Sequence, residues 1–398
     1  MSVIDYDAVV IGGGMSGLMA GIHLLEQGYT VAVVSRGDPA VCLSTGCIDV
    51  CGTGMDPLAG VDALPDEHPY HVTGKEKIRA ALDKFSDIMT DVRLPYAGRA
   101  EENRAIITPL GTTKLTCLVP RTMETAPRKP DEYIHVVSFN GLKDFYPSYI
   151  TARRKNTGFS LFDAGVTTTM GIAARFEDRA FLKEFIAWLK GLEIPDGKLA
   201  FPAVMGLEHP LSIMQEIQSQ VERWGFEIPT LPPSLPGIRL FKGLKRSFQG
   251  KGGDVYWGSP IASVERSGKH IEAVTIETKG RSTRVNGRAF ILATGSFVSG
   301  GLFALRDEIQ ETVFGLSVAS PGPRDDWFNR DFFTPGHAVE RAGIRVGKDF
   351  RPSEDSLENL FVCGSIISGS EVMKYGCGHG LALTTGLAAA ESCAEVLK

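Results

Sequence analysis

The sequence predicts an α/β fold, namely a Rossmann-type nucleotide-binding domain that is interrupted by an inserted α/β domain. A glycine-rich turn, Gly12-x-Gly14-x-x-Gly17, follows an apolar segment near the N-terminus. Two further apolar segments, Arg288–Gly295 and Glu358–Gly364, end in glycine far along the chain. Strand and helix patterns alternate between these ends. We therefore expect the two ends of the chain to form one sheet, with an insertion between them.

The N-terminal element is a strand, a turn and a helix, arranged as in a pyrophosphate site. Apolar residues up to Ile11 predict the strand, and Gly12 permits the tight turn after it. Gly14 lacks a Cβ, so a phosphate can approach its backbone, and Gly17 lets the helix pack closely on the sheet. The helix N-terminus offers N–H groups to the anion. A second strand, Tyr29 to Val34, completes the β-α-β unit.

The end of that second strand departs from the usual adenosine-binding pattern. An acid commonly accepts the two ribose hydroxyls there, but this chain has Ser35 followed by Arg36. Either an adenosine is held with less help, or the ligand carries no adenosine. The residues alone leave both alternatives open.

The C-terminal segments favour a flavin over a nicotinamide. Two-domain flavoproteins place a strand end near the ribityl chain and point a late helix at the pyrimidine edge, where its N-terminus stabilises reduced flavin. A glycine run before the helix Leu381 to Leu397 fits this order, although Ser365 stands where an acid often binds the ribityl chain. The residues expected to contact the cofactor are Ile11, Gly12, Gly13, Gly14, Met15, Ser16, Gly17, Ser35, Arg36, Ser44, Thr45, Gly46, Cys47, Ala293, Thr294, Gly295, Gly364, Ser365, Gly376, Gly378, His379 and Gly380.

Length and composition fit a globular protein of two domains. The chain has 398 residues, of which 43% are hydrophobic and 22% charged, and its formal net charge is −5. The negative charge disfavours a nucleic-acid partner. The sequence has no signal-peptide pattern and no apolar run of the roughly 18 residues that a transmembrane helix needs. We therefore expect any membrane association to go through another protein.

The seven cysteines are an odd number and indicate reduced thiols rather than a disulfide framework. Cys42, Cys47 and Cys51 form a cluster, but their spacing does not match a common iron–sulfur run. A ligand set completed by Cys117 or Cys377 stays open as an alternative. The preferred interpretation is thiols in a loop beside the cofactor, with no metal.

The pattern of elements also predicts the domain boundaries. The nucleotide-binding domain comprises 1–94, 236–300 and 351–398, and the inserted domain comprises 95–235 and 301–350. The loop around Ser44 to Asp49 is expected to cross the isoalloxazine face. Predicted helices cover Lys75 to Met89, Asp178 to Leu192, Leu211 to Gly225 and Arg239 to Gly250, and predicted strands include Tyr133 to Phe139, Asp254 to Tyr256, Ile261 to Arg266 and Ile271 to Glu277.

Several runs spread over nearly the whole chain are specific enough to indicate a family. The most specific are Pro229–Arg239, which contains Pro-Thr-Leu-Pro-Pro-Ser, and Leu292–Leu302, which contains Gly-Ser-Phe-Val-Ser-Gly-Gly. Others are the glycine turn with Ser35-Arg36-Gly37, then Thr108–Thr112, Asp331–Phe333, Leu357–Phe361 and Gly376–Gly378. Together they resemble the B subunit, a flavoprotein, of the anaerobic glycerol-3-phosphate dehydrogenase.

The resemblance implies a flavoprotein subunit that carries FMN, with FAD as the alternative. It implies two partners, namely an FAD-bearing catalytic subunit, and an iron–sulfur subunit that docks the pair to the inner face of the cell membrane. The protein would then be cytoplasmic and peripheral. The implied reaction oxidises sn-glycerol 3-phosphate to dihydroxyacetone phosphate and passes electrons to quinone, and so to fumarate or nitrate.

Flavin-dependent oxidation of a secondary alcohol needs a base near flavin N5, and arginines suit the phosphate of the substrate. His379 lies at a helix start that is expected to face the flavin. The other candidates are His337, Arg324, Arg239 and Arg351. They form no self-evident catalytic set, so three hypotheses remain: a catalytic subunit, an electron-relay flavin subunit, and an unrelated flavin-dependent reductase.

Overall fold

The computed structural model describes residues 2–125, 131–278 and 280–398. The helices are α1 (Met15–Glu26), α2 (Pro57–Asp62), α3 (Pro69–Thr73), α4 (Lys75–Asp91), α5 (Pro147–Arg153), α6 (Thr169–Phe176), α7 (Arg179–Lys190), α8 (Pro210–Val221), α9 (Leu235–Gly250), α10 (Val372–Tyr375) and α11 (Gly378–Leu397). The strands are β1 (Ser2–Ile11), β2 (Val31–Ser35), β3 (Tyr96–Gly98), β4 (Arg104–Ile107), β5 (Thr113–Thr116), β6 (Leu118–Pro120), β7 (Ile134–Phe139), β8 (Thr157–Phe162), β9 (Lys198–Pro202), β10 (Gly225–Ile228), β11 (Asp254–Trp257), β12 (Ile261–Ser267), β13 (His270–Thr278), β14 (Arg281–Leu292), β15 (Leu302–Ala304), β16 (Ile309–Glu311) and β17 (Leu360–Val362).

The chain forms two compact units. The first unit comprises Met1–Ala40, Asp49–Ile88 and Leu244–Lys398, and the second comprises Val41–Ile48 and Met89–Gly243. Both are mixed α/β structures with parallel strands, so the predicted fold class is confirmed.

The sheet of the first unit joins strands from opposite ends of the chain. Its order is β11-β2-β1-β14-β13-β12, and β17 also pairs with β14. The pairs between β11, β2, β1, β14 and β17 are parallel, whereas β13 runs antiparallel to β12 and β14. Ala8, Val9 and Val10 of β1 are fully buried, as a central parallel strand requires. The carboxyl ends of β1, β14 and β17 therefore meet at one edge.

The sheet of the second unit is wholly parallel, with the order β10-β9-β7-β8. Helices α5 to α8 connect these strands, as parallel crossovers require. An aromatic cluster fills the core beside the sheet, with Phe185 stacked on or edge-on to its neighbours. The cluster includes Phe139, Phe162, Phe176, Phe181, Phe185 and Phe201, and Trp188 packs against it. This core accounts for the strongly amphipathic pattern of α7, whose N-cap Asp178 accepts from the Ala180 N–H at 2.9 Å.

The observed units differ from the predicted domains at residues 41–48, 89–94, 236–243 and 301–350. Residues 301–350 lie in the first unit, because their backbone bonds there: Ile344 pairs with Ile367, and the Val362 N–H donates to Phe350 O at 2.8 Å. Residues 41–48 lie in the second unit, where the Ile48 backbone exchanges hydrogen bonds with Leu118. Both sets of partners are distant in sequence, so local composition did not indicate them.

Candidate nucleotide-binding site

The turn between β1 and α1 is so tight that two of its residues must be glycine. Gly12 has φ +118°, a backbone conformation that other residues rarely adopt. A Cβ on Gly12 would overlap the Ala293 carbonyl oxygen, and a Cβ on Gly17 would overlap that of Gly12. The Gly12 N–H donates to Val34 O at 2.8 Å. The turn is therefore held between the ends of β2 and β14.

Gly14 differs from these two glycines, because its missing side chain leaves open space. It is the N-cap of α1 and, as a glycine, has no side chain to cap the first-turn N–H groups. Within the described parts of the chain, no atom beyond its immediate neighbours lies within 4 Å of the place a Gly14 Cβ would take. The partial positive charge of the helix N-terminus adds to these N–H groups. A phosphate of a dinucleotide fits this arrangement.

An aromatic ring covers the carboxyl end of β2. Trp257, the last residue of β11, pairs with Ser35 in the sheet. Its indole ring lies against Gly13, where a Cβ would overlap it. The Ser35 hydroxyl donates to Gly37 O at 2.9 Å and so points into its own loop. The edge of the turn at the end of β2 is therefore lined by Trp257, with no acid at the position of Ser35.

The glycine pattern did not indicate Trp257, since β11 is distant from the turn in sequence. The signal that could have found it was an aromatic residue directly after the predicted strand Asp254 to Tyr256. Arg36 donates to Ser299 O at 3.3 Å, and its role as a cofactor contact stays a prediction. Its guanidinium packs on Gly300, where a Cβ would overlap it.

The predicted residues after β14 and β17 lie beside the turn, because these strands are parallel neighbours in the sheet of β1. The Ala293 N–H donates to Ile11 O at 2.8 Å. The Thr294 Oγ1 is buried and has no hydrogen-bond partner in the part of the chain that the structure describes. A Cβ on Gly364 would lie 2.5 Å from Ser16 Oγ in the first turn of α1. A polar ligand at this edge would supply the partner that Thr294 lacks.

The glycine run before α11 packs against the loop that follows residue 48. The Gly380 N–H donates to Asp49 O at 2.9 Å, and the Gly52 N–H donates to Tyr375 O at 2.8 Å. A Cβ on Gly380 would lie 2.7 Å from both Asp49 O and Tyr70 Oη. Gly378 and His379 begin α11, and His379 is half-buried in its first turn. The N-terminus of α11 is thus enclosed by the first unit.

The predicted loop residues Ser44, Thr45, Gly46 and Cys47 belong to the second unit. There the Tyr96 Oη donates to Gly46 O at 2.7 Å, and burial raises the pKa of Tyr96 well above its ordinary value. A Cβ on Gly46 would lie 2.7 Å from Pro236 Cβ in the first turn of α9. These contacts hold the loop on α9, and its role as a flavin contact stays a prediction.

Arg239 is buried in the interior of the second unit, where it forms an ion pair. Its side chain is 5% exposed, and its Nη1 and Nη2 donate to the two Glu227 carboxylate oxygens at 2.6 and 3.0 Å. Nε and Nη2 also donate to Gly206 O. The Thr122 hydroxyl donates to the same carboxylate at 2.7 Å. Every nitrogen of this guanidinium therefore bonds within the protein, which explains why the residue is an arginine.

The candidates His337 and Arg324 hold loops of the first unit. His337 Nδ1 accepts from the Asn329 N–H at 3.0 Å, and its Nε2 lies 2.9 Å from Phe332 O. Both contacts are satisfied by one neutral tautomer, in which Nε2 donates. Arg324 Nη1 donates to Leu305 O at 2.7 Å, and its guanidinium lies 5.0 Å from the Trp327 ring centre.

Arg351 is likewise paired, since its Nη1 lies 3.1 Å from Asp349 Oδ2 and its guanidinium lies over the Phe361 ring. Arg239, His337, Arg324 and Arg351 each have partners within their own unit, and the catalytic roles of these four residues and of His379 stay predictions. The sequence showed their residue types but not their partners.

All seven cysteines are thiols rather than halves of disulfides. In the described ranges, no three His, Cys, Asp or Glu side chains are grouped so that they could hold a metal ion. No helix in those ranges has both the length and the apolar character needed to cross a bilayer.

Comparison with known proteins agrees with the geometry of the turn. The family model described as FAD binding domain matches residues 7–381. The chain is 29% identical to the B subunit of anaerobic glycerol-3-phosphate dehydrogenase from Aliivibrio fischeri, covering 99% of this chain and 96% of the relative. It is 30% identical to the protein of the same name from Vibrio vulnificus, covering 98% and 96%. A crystal structure of 3-ketosteroid delta1-dehydrogenase from Sterolibacterium denitrificans is similar at 12% identity and a TM-score of 0.46, over 98% and 99% of the two chains, which is too remote to bear on function.

Proposed function

Because this chain belongs to the FAD binding domain family, we propose that it is the FAD-bearing B subunit of an anaerobic glycerol-3-phosphate dehydrogenase. A flavin-dependent oxidoreductase is what the family and the names of the relatives support. The expectation of FMN has no support from the matching family, which is described by FAD binding, and FAD replaces it here.

The observation that carries the proposal is the turn around Gly14. The open space beside it, the first-turn N–H groups that Gly14 cannot cap, and the Thr294 hydroxyl without a partner among the described residues lie at the carboxyl edge of the parallel strands β2, β1 and β14. That is where a doubly wound sheet binds a dinucleotide. The half-buried start of α11 suits the flavin ring, since a helix N-terminus stabilises negative charge on it.

In the proposed reaction, sn-glycerol 3-phosphate loses a hydride from C2 and a proton from the C2 hydroxyl, and gives dihydroxyacetone phosphate. Bound FAD supplies the hydride acceptor. The protein contributes the pyrophosphate site at α1, the enclosed start of α11, and a base, for which His379 remains the candidate. Electrons then pass to quinone through the partner subunits, which would also place the chain at the inner face of the membrane.

A second function, electron relay without substrate oxidation, is favoured by a separate observation. Four of the candidate catalytic residues form hydrogen bonds or ion pairs within their own unit, namely Arg239, His337, Arg324 and Arg351. A relay subunit would need FAD but no substrate base of its own.

The two functions differ in one experiment. The purified chain, loaded with FAD and kept anaerobic, is mixed with sn-glycerol 3-phosphate while the flavin absorbance is followed. Bleaching within the mixing experiment supports catalysis by this chain. Persistent colour that is lost only after the partner subunit is added supports relay, and a chain that never takes up flavin contradicts both.

A further inference from the structure

Arg341, Glu371 and Lys374 form a cationic cluster beside the glycine run that leads into α11. Glu371 Oε1 accepts from Lys374 Nζ at 3.0 Å and lies 3.5 Å from Arg341 Nε. The Glu371 side chain is 3% exposed, whereas those of Arg341 and Lys374 are 52% and 36% exposed. One buried carboxylate thus holds two cations that keep a solvent-facing side. The cluster has a net positive charge.

The backbone of Glu371 is strained. Its φ of 31° and ψ of 49° lie in the left-handed region, which residues other than glycine rarely adopt. The Tyr375 N–H donates to Glu371 O at 3.2 Å, and Gly336 packs on the Lys374 stem, where a Cβ would lie 2.8 Å from Lys374 Cδ. The surroundings therefore fix the carboxylate in place. Such strain concentrates at sites that bind ligands.

One carboxylate oxygen of a second acid, Glu340, has no donor among the described residues. Glu340 precedes Arg341 in the one-turn helix Ala338–Arg341, and its Oε2 is buried with no hydrogen-bond partner among the residues described. Burial, followed by the charges of nearby groups that include Glu340 and Glu371, raises the pKa of the Cys377 thiol. Glu340 is the chain neighbour of Arg341, whose Nε lies 3.5 Å from Glu371 Oε1. A buried acceptor without a donor is costly, and a ligand hydroxyl would satisfy it.

We propose that Arg341 and Lys374 bind the phosphate of a phosphorylated polyol, and that Glu340 accepts a hydrogen bond from one of its hydroxyls. This deepens the proposed function and rests on it for the choice of substrate. Arg341 and Lys374 can each donate a charge-assisted hydrogen bond to a phosphate oxygen, and Arg341 offers a planar pair of donors. Glu371 is a positioning residue, because it aims both cations without facing the ligand itself. The N-terminus of α11 begins only four residues after Lys374 and adds positive potential.

Inorganic phosphate is the probe for the cationic part of the site. Titration calorimetry on the FAD-loaded chain should show that Arg341→Gln and Lys374→Gln each weaken phosphate binding about tenfold or more, since each removes a charge-assisted hydrogen bond. Arg345→Gln is the matched control, because Arg345 pairs with Glu354 on the same unit and should leave the affinity unchanged. Flavin content and melting temperature of each variant show that the fold is retained. Wild-type affinity in both cluster variants would overturn the proposal.

The contact between Glu340 and a ligand hydroxyl is tested by the ratio of two dissociation constants, one for sn-glycerol 3-phosphate and one for inorganic phosphate. Glu340→Gln should raise the Kd for sn-glycerol 3-phosphate relative to that for inorganic phosphate, because only the former has a polyol hydroxyl to donate. An unchanged ratio would overturn the role of Glu340. If phosphate binds through Arg341 and Lys374 but sn-glycerol 3-phosphate never reduces the flavin, the proposed function fails and the site stands. If the substrate reduces the flavin while both cluster variants keep wild-type affinity, the site fails and the function stands.

Discussion

Gly17 packs on Gly12 so closely that a Cβ on Gly17 would overlap the Gly12 carbonyl oxygen. A Cβ on Gly14, three residues earlier, would lie more than 4 Å from every described atom beyond its chain neighbours. The same turn therefore uses glycine for two purposes. Gly17 lets α1 pack against the backbone of Gly12, and Gly14 leaves room for a ligand. A substitution at Gly17 should therefore lower the stability of the fold, whereas one at Gly14 should prevent ligand binding.

Gly17→Ala should destabilise the fold, because the new methyl group overlaps backbone that β2 and β14 hold in place. We expect the free energy of unfolding to fall by about 3 kcal/mol, as for an overpacked core. Urea denaturation of the cofactor-free chain measures it. The control is Gly37→Ala, since a Cβ on Gly37 meets no described atom within 4 Å. Equal midpoints for the two variants would contradict the packing argument.

Gly14→Val should leave the chain folded but colourless. The backbone of Gly14, with φ −77° and ψ −174°, accepts a branched residue, yet the side chain would occupy the proposed place of the phosphate. Visible absorbance of the purified protein reports the flavin, and the melting temperature of the cofactor-free form reports the fold. A yellow variant at full occupancy would show that the phosphate binds elsewhere.

Arg239→Met should destabilise the second unit, because it strands the Glu227 carboxylate in the interior with only the Thr122 hydroxyl and the Met205 N–H as donors among the described residues. Removing one partner of a buried ion pair costs about 3–5 kcal/mol. Arg345→Met breaks an exposed pair with Glu354 instead, and should cost at most about 1 kcal/mol. Urea midpoints compare the two. A small change at Arg239 would mean that the pair is dispensable.

The free energy of unfolding should fall in mild acid, because His68 is buried in its neutral form. Burial lowers the pKa of His68 from 6.5 to about 4, against an opposing hydrogen bond to the Ser370 backbone. Between about pH 6.5 and pH 4, His68 is therefore protonated in the unfolded chain but neutral in the folded protein. Stability is lost as the pH falls from about 6.5 to about 4, and between pH 7 and pH 5 the loss from this group is about 2 kcal/mol.

The measurement for His68 is the free energy of unfolding at pH 7 and pH 5. His68→Gln removes the titrating group, so its stability should change by about 2 kcal/mol less over the same interval. His23 and His135, whose pKa values burial also lowers, remain in both proteins and cancel in the comparison. Parallel pH dependences would exclude His68 as the source.

The sequence predicted those parts of the site that depend on neighbouring residues. The turn at Gly12 and the start of α11 are local, because strand, glycine spacing and helix pattern lie within one short segment. Trp257 could not be predicted as a neighbour of Gly13, because only the pairing of β11 with β2 brings them together. Similarly, Arg239 resembled a phosphate ligand in the sequence, and only the fold shows Glu227 and Gly206 around it.

The domain boundaries show the same limit. Residues 301–350 have few long periodic elements, and their place in the first unit depends on single backbone pairings such as Ile344 with Ile367. Predicted helix ends were also displaced: α9 begins at Leu235 rather than Arg239, with Pro236 in its first turn, where a missing N–H costs nothing.

The pairing of β1 with β14 has a consequence for biosynthesis. A ribosome releases Ile11 long before it reaches Leu292, the residue that lies beside it in the finished sheet. The second unit, by contrast, has every strand of its parallel sheet once Ile228 has emerged, so it can fold on the nascent chain first. The turn at Gly12 gains its neighbour β14 only after Leu292 has been synthesised, so we expect flavin to bind after that point.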